Sequence, residues 1–287
     1  MKAKIIMFAA AFLVFAVSMP IMPVPENKVY ASEVTDETPE ESVIYDSFGG
    51  GYAASGQIEG VGFTTEVYDT YNGLPTSDAM YIMGANDGHI WIGGYSGVIL
   101  YDGTLFERLD TGKGLTSARA IFEDSEGRIW VGTNDNGVVI IDGIERTHIT
   151  YKDGLPSSSI RMFAEDESGN VFVGTTSGVC YIDKDFHVRK VKGFNFINER
   201  VLKLDKDLNG RIYGQTSNGF VFAIDNCEVT EYYNSENLGI EKITTIMADP
   251  KTPGKVWYGT EGGLLYCGEF GADKKGLSKR DVSPIKS

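Results

Sequence analysis

The chain has 287 residues, 42% of them hydrophobic, and a formal net charge of −14. Its length and apolar content suffice for a packed core, while its acidic balance disfavours nucleic acid and anionic lipid headgroups as partners. Three cysteines, an odd count, leave at least one thiol outside any disulfide.

Read from the N-terminus, Lys2 and Lys4 lead an apolar run over residues 5–17 that stops at Pro20. Val29-Tyr30-Ala31 then offers a small-residue cleavage site before Ser32. The run is shorter than the ~20 residues a spanning helix needs, so residues 1–31 are expected to be a signal peptide, with an uncleaved anchor as the alternative. The mature chain is expected outside the cytoplasm, secreted or on the outer face of the cell membrane. No second apolar stretch of spanning length follows, so no second membrane span is expected. Residues 1–31 carry three Lys and one Glu, and their removal takes the net charge to −16. Residues 32–60 hold Glu33, Asp36, Glu37, Glu40 and Glu41 ahead of Gly49-Gly50-Gly51, and read as an exposed acidic, Gly-rich linker.

From residue 61 to 287 a block of about 41 residues recurs five times, at about 68–110, 111–150, 151–191, 192–233 and 234–283. The loop Gly73-Leu74-Pro75-Thr76-Ser77 returns as Gly114-Leu115-Thr116-Ser117 and Gly154-Leu155-Pro156-Ser157-Ser158, and in weaker form at residues 196–198 and 238–240. A turn glycine precedes an aromatic by three residues, as Gly88 and Trp91, Gly127 and Trp130, Gly169 and Phe172, Gly210 and Tyr213, Gly254 and Trp257. The glycine behind the aromatic is read as Gly93, Gly132, Gly174, Gly214 and Gly259, and a further glycine at 97, 137, 178, 219 or 263 opens an apolar run. Aromatic and β-branched residues fill the runs, and Gly, Asp, Asn and Ser fill the gaps, so each repeat reads as four short strands with no support for a helical period. Four strands every 40 to 45 residues is the signature of a β-propeller blade. The fold class is therefore all-β, a propeller of four-stranded antiparallel blades. Trp91, Trp130 and Trp257 share one blade position and are expected to pack between blades.

Residues 64–71 look like an outermost strand without its inner partners, and residues 279–282 like the outer strand of the fifth repeat. Ring closure removes free sheet edges, so an incomplete, seven-bladed ring is expected, with a five-bladed ring as the alternative.

The repeats lack the kelch double glycine, the WD40 Gly-His and Trp-Asp pairs, and the spacing of the sialidase Asp-box. The run Glu123-Asp124, Gly127-Arg128-Ile129-Trp130-Val131-Gly132-Thr133, Gly137-Val138, Asp142-Gly143 resembles the two-component regulator propeller repeat. The resemblance covers residues 64–270 or so and is strongest in the first three repeats. It implies the extracytoplasmic sensor region of a bacterial signalling protein, noncatalytic, whose cytoplasmic output domain in full-length relatives is a histidine kinase or a diguanylate cyclase. No sequence of either output is present here. A secreted propeller hydrolase or lyase acting on polysaccharide, and a cell-surface protein-interaction module, are the alternatives.

No nucleophile elbow, His-Glu-x-x-His helix or Cys-x-x-Cys pair occurs, so no cofactor, metal or catalytic residue is assigned. Asp205-x-Asp207-x-Asn209-Gly210 opens like a calcium loop, but Thr216 stands where the bidentate Glu belongs, so a plain turn is expected. The recurring acidic pairs, such as Glu123-Asp124 and Glu165-Asp166, likewise read as turn chemistry. Cys180 and Cys267 fall at apolar strand positions and are expected in the core.

A small-molecule or glycan ligand is expected at the loops joining outer to inner strands and second to third strands, at positions that differ between copies. These are Asp78, Tyr81, Arg119, Arg161, Asn198, Glu199 and Arg200 at the starts of inner strands, and Tyr95, Asn134, Asp135 and Glu261 between second and third strands. Arg grips a carboxylate bidentately and Tyr stacks on a ring, which is why these residue types carry the expectation.

Overall fold

The computed structural model describes residues 67–71, 73–76, 78–110, 112–193 and 199–280. The expected signal peptide and linker lie outside the described residues. The chain divides into two compact units, residues 1–108 and 109–287. Among the described residues no helix is long and apolar enough to cross a membrane.

The first unit holds one sheet, β1 (Tyr81–Gly84), β2 (Ile90–Gly94), β3 (Gly97–Tyr101) and β4 (Phe106–Arg108). The second unit holds four. They are β5 (Ala118–Glu123), β6 (Ile129–Thr133), β7 (Val138–Asp142) and β8 (Glu145–Ile149); β9 (Ile160–Glu165), β10 (Val171–Thr175), β11 (Gly178–Ile182) and β12 (Val188–Lys190); β13 (Val201–Lys206), β14 (Ile212–Thr216), β15 (Val221–Asp225) and β16 (Glu228–Tyr233); β17 (Ile243–Ala248), β18 (Lys255–Thr260), β19 (Leu265–Glu269) and β20 (Ser278–Arg280). Every sheet is a meander of four consecutive antiparallel strands, each blade formed from one repeat. A one-turn helix, α1 (Ser235–Leu238), is capped by Asn234 and Gly239 ahead of β17.

The turn joining the first two strands repeats because one aspartate ties it. Asp124 Oδ1 accepts the backbone N–H groups of Glu126 and Arg128. Its Oδ2 accepts Arg128 Nε at 2.6 Å and the Trp130 indole N–H at 2.7 Å. Asp207 does the same for Asn209 and Arg211 and accepts the Tyr213 hydroxyl, while Asp249 holds Lys251, Thr252 and the Trp257 indole. The turn glycine follows with positive φ, 81° at Gly127 and 79° at Gly210, a region that L side chains rarely adopt. These aspartates are thus structural, and in the calcium-like segment the carboxylates of Asp205 and Asp207 are engaged by protein donors.

Blades of the second unit pack face to face. Trp130 is 1% exposed and meets Phe163 and Phe186 of the next blade edge-on, at 6.2 and 6.1 Å between centroids. One apolar cluster joins the second and third sheets, another the third and fourth, and a third the fourth and fifth. Gly132 permits this approach, since a Cβ there would stand 2.5 Å from Ile160 Cγ2. The leucines of the repeated loop are buried too, Leu74, Leu115, Leu155 and Leu238. Trp91 is also buried, but Trp257 is half-exposed. Trp257 lies on the last described blade, where no further described sheet covers that face.

Two further expectations are corrected. Residues 67–71 form a turn rather than a strand, and residues 64–66 lie outside the described residues. Asp69 causes this: its Oδ1 accepts the Tyr71 N–H and its carbonyl accepts the Leu74 N–H. Tyr68 then packs against Tyr101 and Phe106, at 5.6 and 5.1 Å, covering the outer part of the first sheet with a ring instead of a paired strand. In the fourth blade Gln215, not Gly214, occupies the place of Gly132 and Gly174, for Leu204 pairs with Gly214 and Lys203 with Gln215. Gly214 instead stands opposite Phe222, where Val131 faces Val139, and its missing side chain makes room for the Phe222 ring.

All three cysteines are free. Cys180 and Cys267 are buried, and burial pushes the Cys180 thiol up to about 12. Cys227 sits with Asn226 in a two-residue hairpin turn, both at positive φ.

Candidate functional site

In the second unit the first strands β5, β9, β13 and β17 neighbour one another in succession, which makes them the inner edges of their blades. Each is bulged at its second residue. Ala118 pairs with Thr133 and Ala120 with Gly132, leaving Arg119 as the extra residue. The same step leaves Arg161 between Ile160 and Met162, Leu202 between Val201 and Lys203, and Thr244 between Ile243 and Thr245. A bulge bends the strand and re-aims the extra side chain, which is why bulges gather beside binding sites.

The loops between second and third strands reach the same end of each blade. The first residue of each loop donates its N–H to the carbonyl just ahead of the first strand: Asn134 to Ser117, Thr176 to Ser159, Ser217 to Arg200 and Glu261 to Lys242. Arg161 Nη1 spans two blades, donating to Asn134 Oδ1 at 3.2 Å and to the Ile160 carbonyl at 3.2 Å. Partial burial, and then the positive charges of Arg119 and Arg200, hold the Arg161 guanidinium below the ordinary arginine value.

Of the residues singled out in the sequence, Arg161 thus meets Asn134 directly and lies within the electrostatic reach of Arg119 and Arg200. Asp135 is exposed beside Asn134, and Glu199 precedes Arg200 with its Oε2 buried and without a hydrogen-bond partner. Glu261 is exposed, with Lys242 Nζ at 4.0 Å. Asn198 lies outside the described residues. In the first unit Asp78 Oδ2 accepts the Tyr95 N–H at 2.7 Å and its Oδ1 accepts the Thr76 hydroxyl at 2.8 Å, so this carboxylate clasps its own loops. Tyr95 is exposed, whereas Tyr81 is half-buried and its phenol is raised above the usual value by that burial.

Leu202 and Thr244 were missed. Alignment on the buried residue that opens each inner strand, Ala118, Ile160, Val201 and Ile243, places them with Arg119 and Arg161 and sets Arg200 level with Ser117 and Ser159. The histidines stand elsewhere: His89 ahead of β2, His148 on β8 and His187 ahead of β12. Asp183, Asp185 and His187 are close enough to share an ion, but Asp183 already accepts the N–H groups of Asp185 and His187 and the Arg189 guanidinium.

Residues 113–135 match the family profile described as two component regulator propeller, a stretch running from the loop before β5 through Arg119 and Trp130 to Asp135. No curated protein sequence matches the chain. Among solved structures, it is similar to the extracellular domain of the putative one component system BT4673 from B. thetaiotaomicron, with TM-score 0.60 and 19% identity over 77% of this chain and 32% of that one. Selenomethionine-substituted virginiamycin B lyase from Staphylococcus aureus gives TM-score 0.57 and 13% identity over 74% of this chain and 73% of that one. PorZ, a surface component of the type-IX secretion system of Porphyromonas gingivalis, gives TM-score 0.57 and 17% identity over 71% of this chain and 34% of that one. The chain spans about a third of the length of the BT4673 domain and of PorZ. At these identities the likeness shows a shared fold, and one fold hosts many functions. What the fold alone leaves open the repeat narrows: the chain is built of four-stranded β-propeller blades, and residues 113–135 match the two component regulator propeller repeat.

Proposed function

We propose that the chain is the extracytoplasmic, ligand-sensing propeller of a bacterial signal-transduction protein. It is noncatalytic, and it relays binding of a small molecule or glycan fragment to a cytoplasmic output, a histidine kinase or diguanylate cyclase, that lies outside this chain. The observation that carries the reading is the inner-strand bulge, which repeats in the backbone of four blades while its side chain changes from Arg119 and Arg161 to Leu202 and Thr244. A scaffold that repeats a re-aimed position and varies its chemistry suits recognition. The repeat match and the likeness to the extracellular domain of the putative one component system BT4673 support the sensor role, and the export-type N-terminus supports the location.

The likeness to virginiamycin B lyase over 73% of its length favours one second reading, a secreted lyase. Against it, none of the histidines stands on an inner strand of the described blades. Incubation of the purified chain with an oligosaccharide panel and with a streptogramin separates the two. The sensor reading expects saturable binding with the compound recovered intact; turnover would replace it with the lyase reading.

A further inference from the structure

We propose that Arg119 and Arg161, with Arg200 beside them, form a subsite for one anionic group of the ligand, a carboxylate or a sulfate as borne by an acidic sugar. The inference deepens the sensor reading and rests on it only for the ligand's role. Its premises are geometric. Arg119 and Arg161 are the extra residues of equivalent bulges on adjacent inner strands, so the two side chains leave the backbone at equivalent positions. Both hydrogen bonds of Arg161 leave from Nη1 and end on neutral oxygens, Asn134 Oδ1 and the Ile160 carbonyl, which keeps the Nε and Nη2 donors for another acceptor.

Gathering three guanidinium groups is costly, because like charges disfavour one another. It is all the less expected on a chain of net charge −14, where carboxylates are in excess. Two carboxylates are near in sequence, Asp135 beside Asn134 and Glu199 beside Arg200. Among the described residues neither forms an ion pair with Arg161 or Arg200, although ion pairs occur at Arg128, Arg189 and Arg211. An oxyanion placed there would meet the Nε and Nη2 donors of Arg161 bidentately and relieve the repulsion. The other two bulge positions are neutral: Leu202 is 38% exposed and offers an apolar contact, and exposed Thr244 offers a hydroxyl. A charged group at one side and an apolar, hydroxyl-bearing body at the other is the chemistry of an acidic sugar.

The test is calorimetric titration of the full chain with D-glucuronate, glucose 6-sulfate, inorganic sulfate and D-glucose. At least one anionic sugar is expected to bind tenfold or more tightly than glucose, and to weaken as salt rises. Glucuronate and glucose 6-sulfate separate a carboxylate source from a sulfate source, and sulfate alone reports the charge without the sugar. Arg161→Gln is expected to abolish the preference for the anion, Arg161→Lys to restore part of it, and Arg146→Gln on β8 to leave it unchanged. Should Arg161→Gln fail to melt cooperatively, Arg200→Gln at an exposed position carries the test and is expected to weaken anion binding severalfold. Anions that bind no more tightly than glucose, or a preference untouched by both substitutions, would overturn the subsite. Tight binding of neutral oligosaccharides alone overturns it and leaves the sensor reading standing, whereas turnover of a bound acidic sugar keeps the subsite and removes the noncatalytic reading.

Discussion

The sheet of the first unit and the four sheets of the second are built from one repeat, yet they secure it differently. In the second unit Asp124, Asp207 and Asp249 each tie a turn and accept a hydrogen bond from the aromatic that follows. In the first unit Ala85 stands in that place, and the Trp91 indole N–H is buried without a partner. The end of the second strand differs too. Thr133 and Thr175 donate their hydroxyls to the Gly137 and Gly178 carbonyls, and Thr260 to that of Leu264. Gly94 replaces the threonine in the first sheet, where a Cβ would collide with the Asp78 carbonyl and where Asp78 supplies the tie through its side chain. The blade fold therefore tolerates loss of either clasp provided the apolar pattern persists, which assigns the clasps to stability and local order rather than to specifying the fold.

The sharpest way to break the comparison is to remove what the sheets share. Trp130→Ala should destabilise the chain by about 3 to 5 kcal/mol, the usual range for a buried aromatic, seen as a lowered urea midpoint. A variant that keeps its midpoint and loses ligand instead would show Trp130 to be a binding residue. Removing what they do not share comes next. Asp124→Ala leaves the Trp130 indole without its acceptor and the Arg128 guanidinium with Glu126 alone, and should cost about 3 kcal/mol. The converse, Ala85→Asp, gives Trp91 an acceptor and should stabilise the first sheet by about 1 kcal/mol, measurable as slower amide exchange of β1 and β2. No gain in protection there would mean that Trp91 is set differently from Trp130.

The fourth blade offers a finer test of how the repeat drifts. Gly214→Val should cost about 1 to 3 kcal/mol through overpacking against Phe222. Adding Phe222→Val restores the Val131 and Val139 arrangement and should recover most of the loss. Additive destabilisation in the double variant would contradict the size exchange.

The smallest effect is that of acid. The Asp249 carboxyl is held below the usual range by the Trp257 indole and backbone N–H groups, Asp153 by Thr150, and Glu231 by Arg211 and Tyr233 against the opposing effect of burial. A folded-state pKa below the unfolded one contributes stability that is complete above the unfolded value and is lost as pH falls through the folded one. Stability should thus be flat above about pH 5 and decline below about pH 4, where free carboxyls titrate. Asp249→Asn should flatten the decline; an unchanged acid limb in that variant would remove Asp249 from the account.

Blade identity was legible because the period, the turn glycines and the aromatic at one position are enforced by packing between blades. Register was less so. Gly214 and Gly219 attract an alignment on glycines, but Phe220 pairs with the threonine as Gly137 does, and the exchange of Val for Gly opposite Phe222 is visible only once the strands are paired. Residues 67–71 carry β-branched and aromatic neighbours that suggest a strand, yet Asp69 turns them. The site residues were half legible: variation between copies found Arg119 and Arg161, while the bulge that makes Leu202 and Thr244 their equivalents has no signature in composition or alternation.

Hydrogen exchange of the full chain, with and without a ligand taken from the oligosaccharide panel, tests the central claim most directly. The account predicts added protection at residues 117–120, 134–136, 159–162 and 200–203, the bulged starts of the inner strands and the loop that meets them. Protection confined to the outer strands β8, β12 and β16, with those segments unchanged, would contradict it.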